Sequence, residues 1–255
     1  MEPILTAVQL KKVYGGRGNQ SSALSDVNFK VFPGEFTGIM GASGSGKTTL
    51  LNCISTIDRP TGGSIIVDGQ DVTALKPAAL SSFRRERLGF VFQDCNLLDT
   101  LTVFENIALA LTILKTPVSE LKSSVRETAN LLGIGDVLDK FPYQISGGQR
   151  QRAAAARAII TKPALLLADE PTGALDSKSA RLLLERLDEL NRERGATILM
   201  VTHDAFTASW CRRILFLKDG SIYAVLDRGE ADRQDFFHRI MEIVSELGGD
   251  ETHVS

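Results

Sequence analysis

A surplus of positive charge is the first thing this chain lacks. Its 255 residues carry 29 Lys and Arg against 31 Asp and Glu, a formal net charge of -2. Wholesale binding to nucleic acid needs a basic surface, so a role resting on bulk attraction to DNA or RNA is set aside. Cysteine is scarce: Cys53, Cys95 and Cys211 stand far apart, with no CxxC pair and no Cys/His cluster. That excludes a disulfide framework and a zinc site, and leaves free thiols in a reducing cytosol as the expectation. No apolar run approaches the ~20 residues that cross a bilayer. The best run, Ile107 to Leu114, reads as a buried helix. The opening MEPILTAVQLKK places its charges after a short apolar stretch, without the basic–apolar–small order of a secretory signal. A membrane role is expected only through a partner. Repeats and low-complexity tracts are also absent.

What is present is ordinary globular material, 43% hydrophobic and 24% charged, enough for one large domain or a domain carrying an inserted subdomain. Leu5, Ala7, Val8 and Leu10, then Val27, Phe29 and Val31, mark antiparallel strands joined by a Gly/Asn/Ser loop over 15–22. A short strand over 35–40 leads into a glycine loop and a helix over 47–57. Further expectations are a strand over 64–67 closed by the Asp68-Gly69 turn, a helix over 77–87 opened by Pro77, and a strand over 88–92. Helical patterns over 101–114, 119–132 and 147–160 then read as an insertion, about 94–158, into the main sheet. Strand–helix alternation resumes over 164–168, 178–194, 197–201 and 204–211, the signature of a parallel sheet flanked by helices. A hairpin over 213–226 and an amphipathic helix over 232–247 end the pattern. Phe236, Phe237, Ile240, Met241, Ile243, Val244 and Leu247 share one face of that helix, and its largely acidic polar face favours packing on the domain over lying on a membrane. The expected layout is one domain over 1–230 and a C-terminal helix with tail over 231–255.

The glycine loop is Gly41-Ala42-Ser43-Gly44-Ser45-Gly46-Lys47-Thr48, followed by Thr49. It matches the P-loop pattern with a strand before it and a helix after it. Its backbone N–H groups curl round a phosphate chain, Lys47 meets the β- and γ-phosphates, and Thr48 is a Mg²⁺ ligand. Ala164-Leu165-Leu166-Leu167-Ala168-Asp169-Glu170 supplies an acidic partner at the end of a buried strand. Asp169 is placed to hold Mg²⁺ and Glu170 to act as general base on the attacking water. Gln93, ending the strand over 88–92, is placed for Mg²⁺ or that water. His203, ending the strand over 197–201, is placed for the γ-phosphate.

A second glycine pair stands in ISGGQRQR, Ile145 to Arg152, at the start of a helix and with no lysine. Exposed N–H groups at such a helix start also bind phosphate. Arg150 and Arg152 read as solvating the helix in preference to touching phosphate, and Arg84, Arg85 and Arg87 as a solvated helix face, with phosphate or lipid contact the lesser alternative.

GASGSGKTT, FVFQD, ISGGQ, LLLADEPTGALD and VTHD, in this order, resemble the ATP-binding subunits of ABC transporters over about 7–223. The resemblance implies an α/β P-loop NTPase with a parallel-sheet core, an N-terminal antiparallel β subdomain and an inserted α-helical subdomain. It implies ATP and Mg²⁺, and a head-to-tail dimer in which Ser146, Gly147, Gly148 and Gln149 of one copy close on ATP held by the other. It gives Tyr14 the adenine-stacking position and Asp176 a place in the loop crossing between subunits. The implied partners are a second copy and an integral membrane permease at the cytoplasmic face, with no nucleic acid. ADEPTGALD and FQDCNLLDTLTVFENI are similar to the macrolide-export and lipoprotein-release branch. GASGSGKTTLLN and MVTHDAFTASWC look most like the bacitracin-type peptide-antibiotic transporters, which implies a link through the permease to a sensor histidine kinase. Leu97, Leu98, Leu101 and Phe104 form a candidate permease groove or simply the insertion's own core.

Overall fold

The computed structural model describes residues 1–16 and 19–249, so part of the expected 15–22 loop and the 250–255 tail lie outside the described residues. In chain order the elements are β1 Leu5–Tyr14, β2 Ser21–Val31, β3 Phe36–Met40, α1 Lys47–Ile54, β4 Gly62–Val67 and β5 Gln70–Asp71. Next come α2 Pro77–Arg87, β6 Leu88–Val91, α3 Val103–Ile113, α4 Val118–Leu131, α5 Gly147–Ile159, β7 Leu165–Asp169 and α6 Ser177–Arg194. The last are β8 Ile198–Val201, α7 Ala205–Ala208, β9 Arg213–Lys218, β10 Ser221–Asp227 and α8 Arg233–Gly249. They form two compact units, Met1–Ala74 with Leu199–Ser255, and Leu75–Ile198.

In the first unit an antiparallel sheet runs in the order β2-β1-β4-β5. The two-residue β5 follows the Asp68-Gly69 turn and is too short for alternation to reveal. A second set runs β10-β9-β3-β8, with β3 and β9 parallel and β9 and β10 antiparallel. All five residues of β3 are buried, as befits a strand covered on both faces. Helix α8 is fixed by Phe236 and Ile240, each 0% exposed, worth about 1.5–3 kcal/mol apiece. Phe237, Ile243, Val244 and Leu247 are only half-buried and Met241 is exposed. The Arg233 guanidinium lies 4.2 Å from the centre of the Trp210 ring.

Two helices of this unit stop earlier than periodicity expects. Helix α1 ends at Ile54 because Thr56 turns left-handed (φ 61) and both Ile57 N–H and Asp58 N–H return to the Asn52 carbonyl. Helix α7 is one turn, 205–208 rather than 204–211. Asp204 caps it, and Arg212 N–H must already pair with the Phe36 carbonyl to start β9.

In the second unit β6 and β7 pair in parallel, Leu88 against Leu165 through Val91 against Ala168. Helix α5 packs on α3, α4, α6 and β6. Its Ala153, Ala154, Ala155 and Ala156 are all 0% exposed, and such short side chains let several neighbours approach one helix closely. Asn106, also fully buried, holds the stretch before α3 by bonding Leu98 N–H and the carbonyls of Leu98, Leu101 and Thr102. The run over 107–114 is buried on one face only: Ile107, Ala108 and Leu111 are covered, while Ile113 is 50% exposed.

Candidate active site

The glycine loop leaves β3 where a side chain has no room. A Cβ on Gly41 would stand 2.2 Å from the Leu217 carbonyl oxygen. Gly46 caps α1 at φ 103, and a Cβ there would meet the Ala23 carbonyl oxygen at 2.4 Å. Helix α1 has no side-chain cap and no acid in its first turn, so its N–H groups and positive end face the loop's mouth. Lys47 Nζ donates to the carbonyls of Gly41 and Ala42, 2.8 Å each, which fixes its charge over that mouth. The Ser45 hydroxyl is buried without a hydrogen-bond partner. Thr48 is exposed and Thr49 half-buried in the first helical turn.

Tyr14, at the end of β1, donates from its hydroxyl to Asp58 Oδ2 at 2.8 Å. Lys12 Nζ bridges Asp58 Oδ1 (2.6 Å) and the Arg59 carbonyl (2.7 Å), and stands 4.8 Å from the Tyr14 ring centre. The ring is thus pinned at its hydroxyl while 42% of the residue stays open. Partial burial works against the Asp58 carboxylate, but hydrogen bonds from Lys12, Tyr14 and Arg59 N–H hold its pKa below the usual value. Burial and the bond to Asp58 push the Tyr14 hydroxyl up. A lowered folded-state pKa means the unfolded chain takes up the proton first. The Asp58 contribution is therefore complete above the ordinary carboxylate value of about 4 and is lost as pH falls through the lower folded value. Asp58→Asn is expected to lower the melting temperature at pH 7, and to lower it by less near pH 3. An equal deficit at both pH values would contradict this account.

His203 follows β8, which lies beside β3, with Thr202 N–H donating to the Ile39 carbonyl at 3.1 Å. This sets His203, exposed, on the strand edge from which the glycine loop departs.

In the second unit the parallel pairing of β6 and β7 brings Gln93 and Asp169-Glu170 to one carboxyl edge. Glu170 has φ 44, an uncommon left-handed value for this residue type, and its carbonyl accepts from Gly173 N–H at 3.0 Å. A Cβ on Gly173 would lie 3.2 Å from both Cδ and Nε2 of Gln93. Gly173 is therefore the surface on which the Gln93 amide rests.

Ser146 caps α5. Its hydroxyl accepts from Gln149 N–H (3.2 Å), and Gln149 Oε1 accepts from Ser146 N–H (3.0 Å). The Gln149 side chain is thus used within the turn. The two glycines have different reasons to be there. A Cβ on Gly147 would approach only the Arg150 guanidinium, at 3.7 Å, whereas one on Gly148 would sit 2.6 Å from Ser179 Oγ. Arg150 donates to the Ile145 carbonyl. The reading of Arg152 as a solvated residue is corrected: it is 7% exposed, because α5 buries this face as well. Burial, then the nearby Arg186 charge, lowers its pKa, and Asp136 opposes them.

Asp176 caps α6. Oδ1 accepts from the N–H groups of Lys178 (3.0 Å) and Ser179 (2.9 Å), and Oδ2 from the Ser179 hydroxyl (2.7 Å). Those bonds, Ser179 N–H first, hold its carboxyl below the usual range. Asp58, Gly173 and Ser179 were missing from the candidates drawn from sequence. Only contact in space reveals them, since no motif spacing links them to Tyr14, Gln93 or Gly148.

Among the described residues no group of three or more His, Cys, Asp or Glu makes a metal cage. The Thr48 hydroxyl in the first unit and the Asp169 carboxylate in the second are each oxygen ligands of the kind that fits Mg²⁺, which takes few protein ligands and several phosphate or water oxygens.

The chain is similar to known proteins over most of its length. The family model described as ABC transporter matches residues 24–173. The Bacitracin export ATP-binding protein BceA of Halalkalibacterium halodurans is 52% identical over 246 residues, covering 96% of this chain and 97% of that protein. The ABC transporter ATP-binding protein YxdL of Bacillus subtilis is 50% identical over 255 residues, covering 100% of this chain and 98% of that protein. Among solved structures, the dimeric post-hydrolysis ATP-binding cassette MJ0796 bound to ADP and Pi superposes with a TM-score of 0.80 at 38% identity, covering 88% of this chain and 98% of that one.

Proposed function

We propose that this chain, which belongs to the ABC transporter family, hydrolyses ATP in a composite site shared between two copies and thereby drives a membrane permease that removes peptide antibiotics of the bacitracin kind. One observation carries the reading: two helices start from glycine turns, α1 beside Lys47 and α5, at Ser146, without any lysine. A second lysine-free grip is redundant inside one chain and complementary between two.

In this account ATP lies on residues 41–49 with its base on the open Tyr14 ring. Ser146, Gly147 and Gly148 of a second copy meet the γ-phosphate with hydrogen-bond donors and a positive helix end. Gln149 supports that turn through its capping bond, and Asp176 sits in the loop that crosses the dimer. Glu170 takes a proton from water as the water oxygen attacks the γ-phosphorus. The bond to the bridging oxygen breaks and ADP leaves with the electron pair. Lys47 and His203 stabilise the charge on the transferring group, and Gln93 orients the water. Mg²⁺, held by Thr48 and Asp169 with Gln93 near it, would neutralise the β- and γ-phosphates. Loss of the γ-phosphate removes the second copy's contacts, so ATP closes the pair and ADP releases it.

No helix among the described residues is long and apolar enough to cross a membrane. The permease supplies attachment to the cytoplasmic face, and a sensor histidine kinase would couple through it. The surface offered to it is the segment after Gln93, where Leu97 and Leu101 are half-buried and Leu98 is 48% exposed. A cavity of about 390 Å³ lies there, lined by residues including Gln93, Cys95, Leu97 and Arg150. Affinity purification of the chain from membranes is expected to yield a permease, and deletion of the pair to sensitise cells to bacitracin. Recovery of nucleic acid in place of a permease, or unchanged sensitivity to every peptide antibiotic tried, would count against the proposal.

A further inference from the structure

The segment after Gln93 is strained and is fastened by one helix. Cys95 and Asn96 both take left-handed backbone, φ 55 and 48, which residues with a Cβ seldom adopt. Two side chains of α5 hold them there. Gln151, 1% exposed, donates from Nε2 to the Phe92 carbonyl at 2.8 Å and accepts from Cys95 Sγ. Arg157 donates to the Asn96 carbonyl at 2.6 Å and to the Cys95 carbonyl at 2.9 Å. Three carbonyls within five residues, on both sides of Gln93, are thus taken by α5. The same helix begins at the Ser146-Gly147-Gly148 turn.

We infer that Gln151 is a positioning residue that ties Gln93 to the 146–148 turn, and through that tie sets the cooperativity between the two ATP sites of a dimer. This rests on the shared-site reading above. There, Gln93 answers to ATP on its own chain, while the 146–148 turn answers to ATP on the other chain. A rigid link between them makes occupancy of one site favour the geometry of the other, which is a coupling free energy carried by a single packed element. Gln151 has the chemistry for it: a planar amide can donate to one backbone group and accept from a second group at once. Arg157 supports it with a planar fork in which two separate nitrogens each hold one carbonyl, a geometry that the single nitrogen of a lysine does not share.

The test uses the full chain and three readouts: the ATP dependence of turnover, maleimide labelling of Cys95, and thermal unfolding. Cys53 and Cys211 are buried, so labelling of the folded protein reports Cys95. Wild type is expected to give a Hill coefficient clearly above 1. Gln151→Leu, which keeps the volume and removes both bonds, is expected to lower it to about 1 and raise the Cys95 labelling rate about tenfold, the loosening expected when a local opening becomes easier. Arg157→Lys, which keeps the charge, is expected to lie between them and supplies the test should Gln151→Leu not fold. The same Gln151→Leu change in a Glu170→Gln background is expected still to form an ATP-trapped dimer. A wild-type coefficient of 1, or a coefficient unchanged in both Gln151→Leu and Arg157→Lys, overturns the proposal. If Glu170→Gln alone fails to trap a dimer, it is the shared-site reading that falls.

Discussion

Replacing Glu170 by Gln is expected to leave ATP binding intact while lowering turnover by about 10²–10⁴-fold, the range a positioned general base supplies. Gln keeps the size and the hydrogen-bonding reach of Glu but cannot accept the proton of the attacking water. The backbone that carries it, with its φ of 44 and its carbonyl bonded to Gly173 N–H, needs no change. ATP then persists and the closed pair accumulates, so a dimer appears by size-exclusion chromatography in ATP and not in ADP. Turnover at the wild-type rate would remove Glu170 from the base role.

Ser146→Arg separates binding from catalysis in another way. The Lys47 loop is untouched, so a single chain should bind nucleotide as before. In the proposed shared site the arginine would occupy the space that receives a second copy's γ-phosphate, so dimer closure and turnover are both expected to be lost, by about 10²-fold or more in rate. Local cost does not explain such a loss. Losing the capping contact to Gln149 N–H costs about 1 kcal/mol, which leaves a folded protein with a slightly lower melting temperature. Retained turnover in this variant would mean that residues 146–149 serve the fold rather than the reaction.

Much of this was legible in the sequence because each piece has a local cause. A strand–glycine–helix succession needs only Gly41 through Thr48 to declare itself, and α2, with Pro77 at its first position, runs over the expected span of 77–87. Asp169 and Gln93 could be set on one edge because parallel strands send their carboxyl ends the same way. What stayed hidden depends on contacts distant in sequence. Helix α1 stops short because Asn52 gathers two later N–H groups. Arg152 looked solvated because arginine usually is, yet α5 is covered on nearly every side and its charge is buried with it. Asp58 and Gly173 belong to no pattern. They matter because Tyr14 leans on one and Gln93 on the other. The double use of Gln151 is of this kind too, since nothing in GGQRQR separates its two glutamines, one capping the turn and one gripping a strand end.

The shared site is tested most directly by counting trapped nucleotides in a mixed dimer. One chain carries Lys47→Ala with Glu170→Gln, and the other Ser146→Arg with Glu170→Gln. The intact Lys47 loop of the second chain then faces the intact Ser146 turn of the first, while the opposite site holds both lesions. The account predicts a single trapped ATP in each mixed dimer and none in either homodimer. No trapped ATP in the mixed dimer, or equal trapping by the Ser146→Arg homodimer, would contradict it.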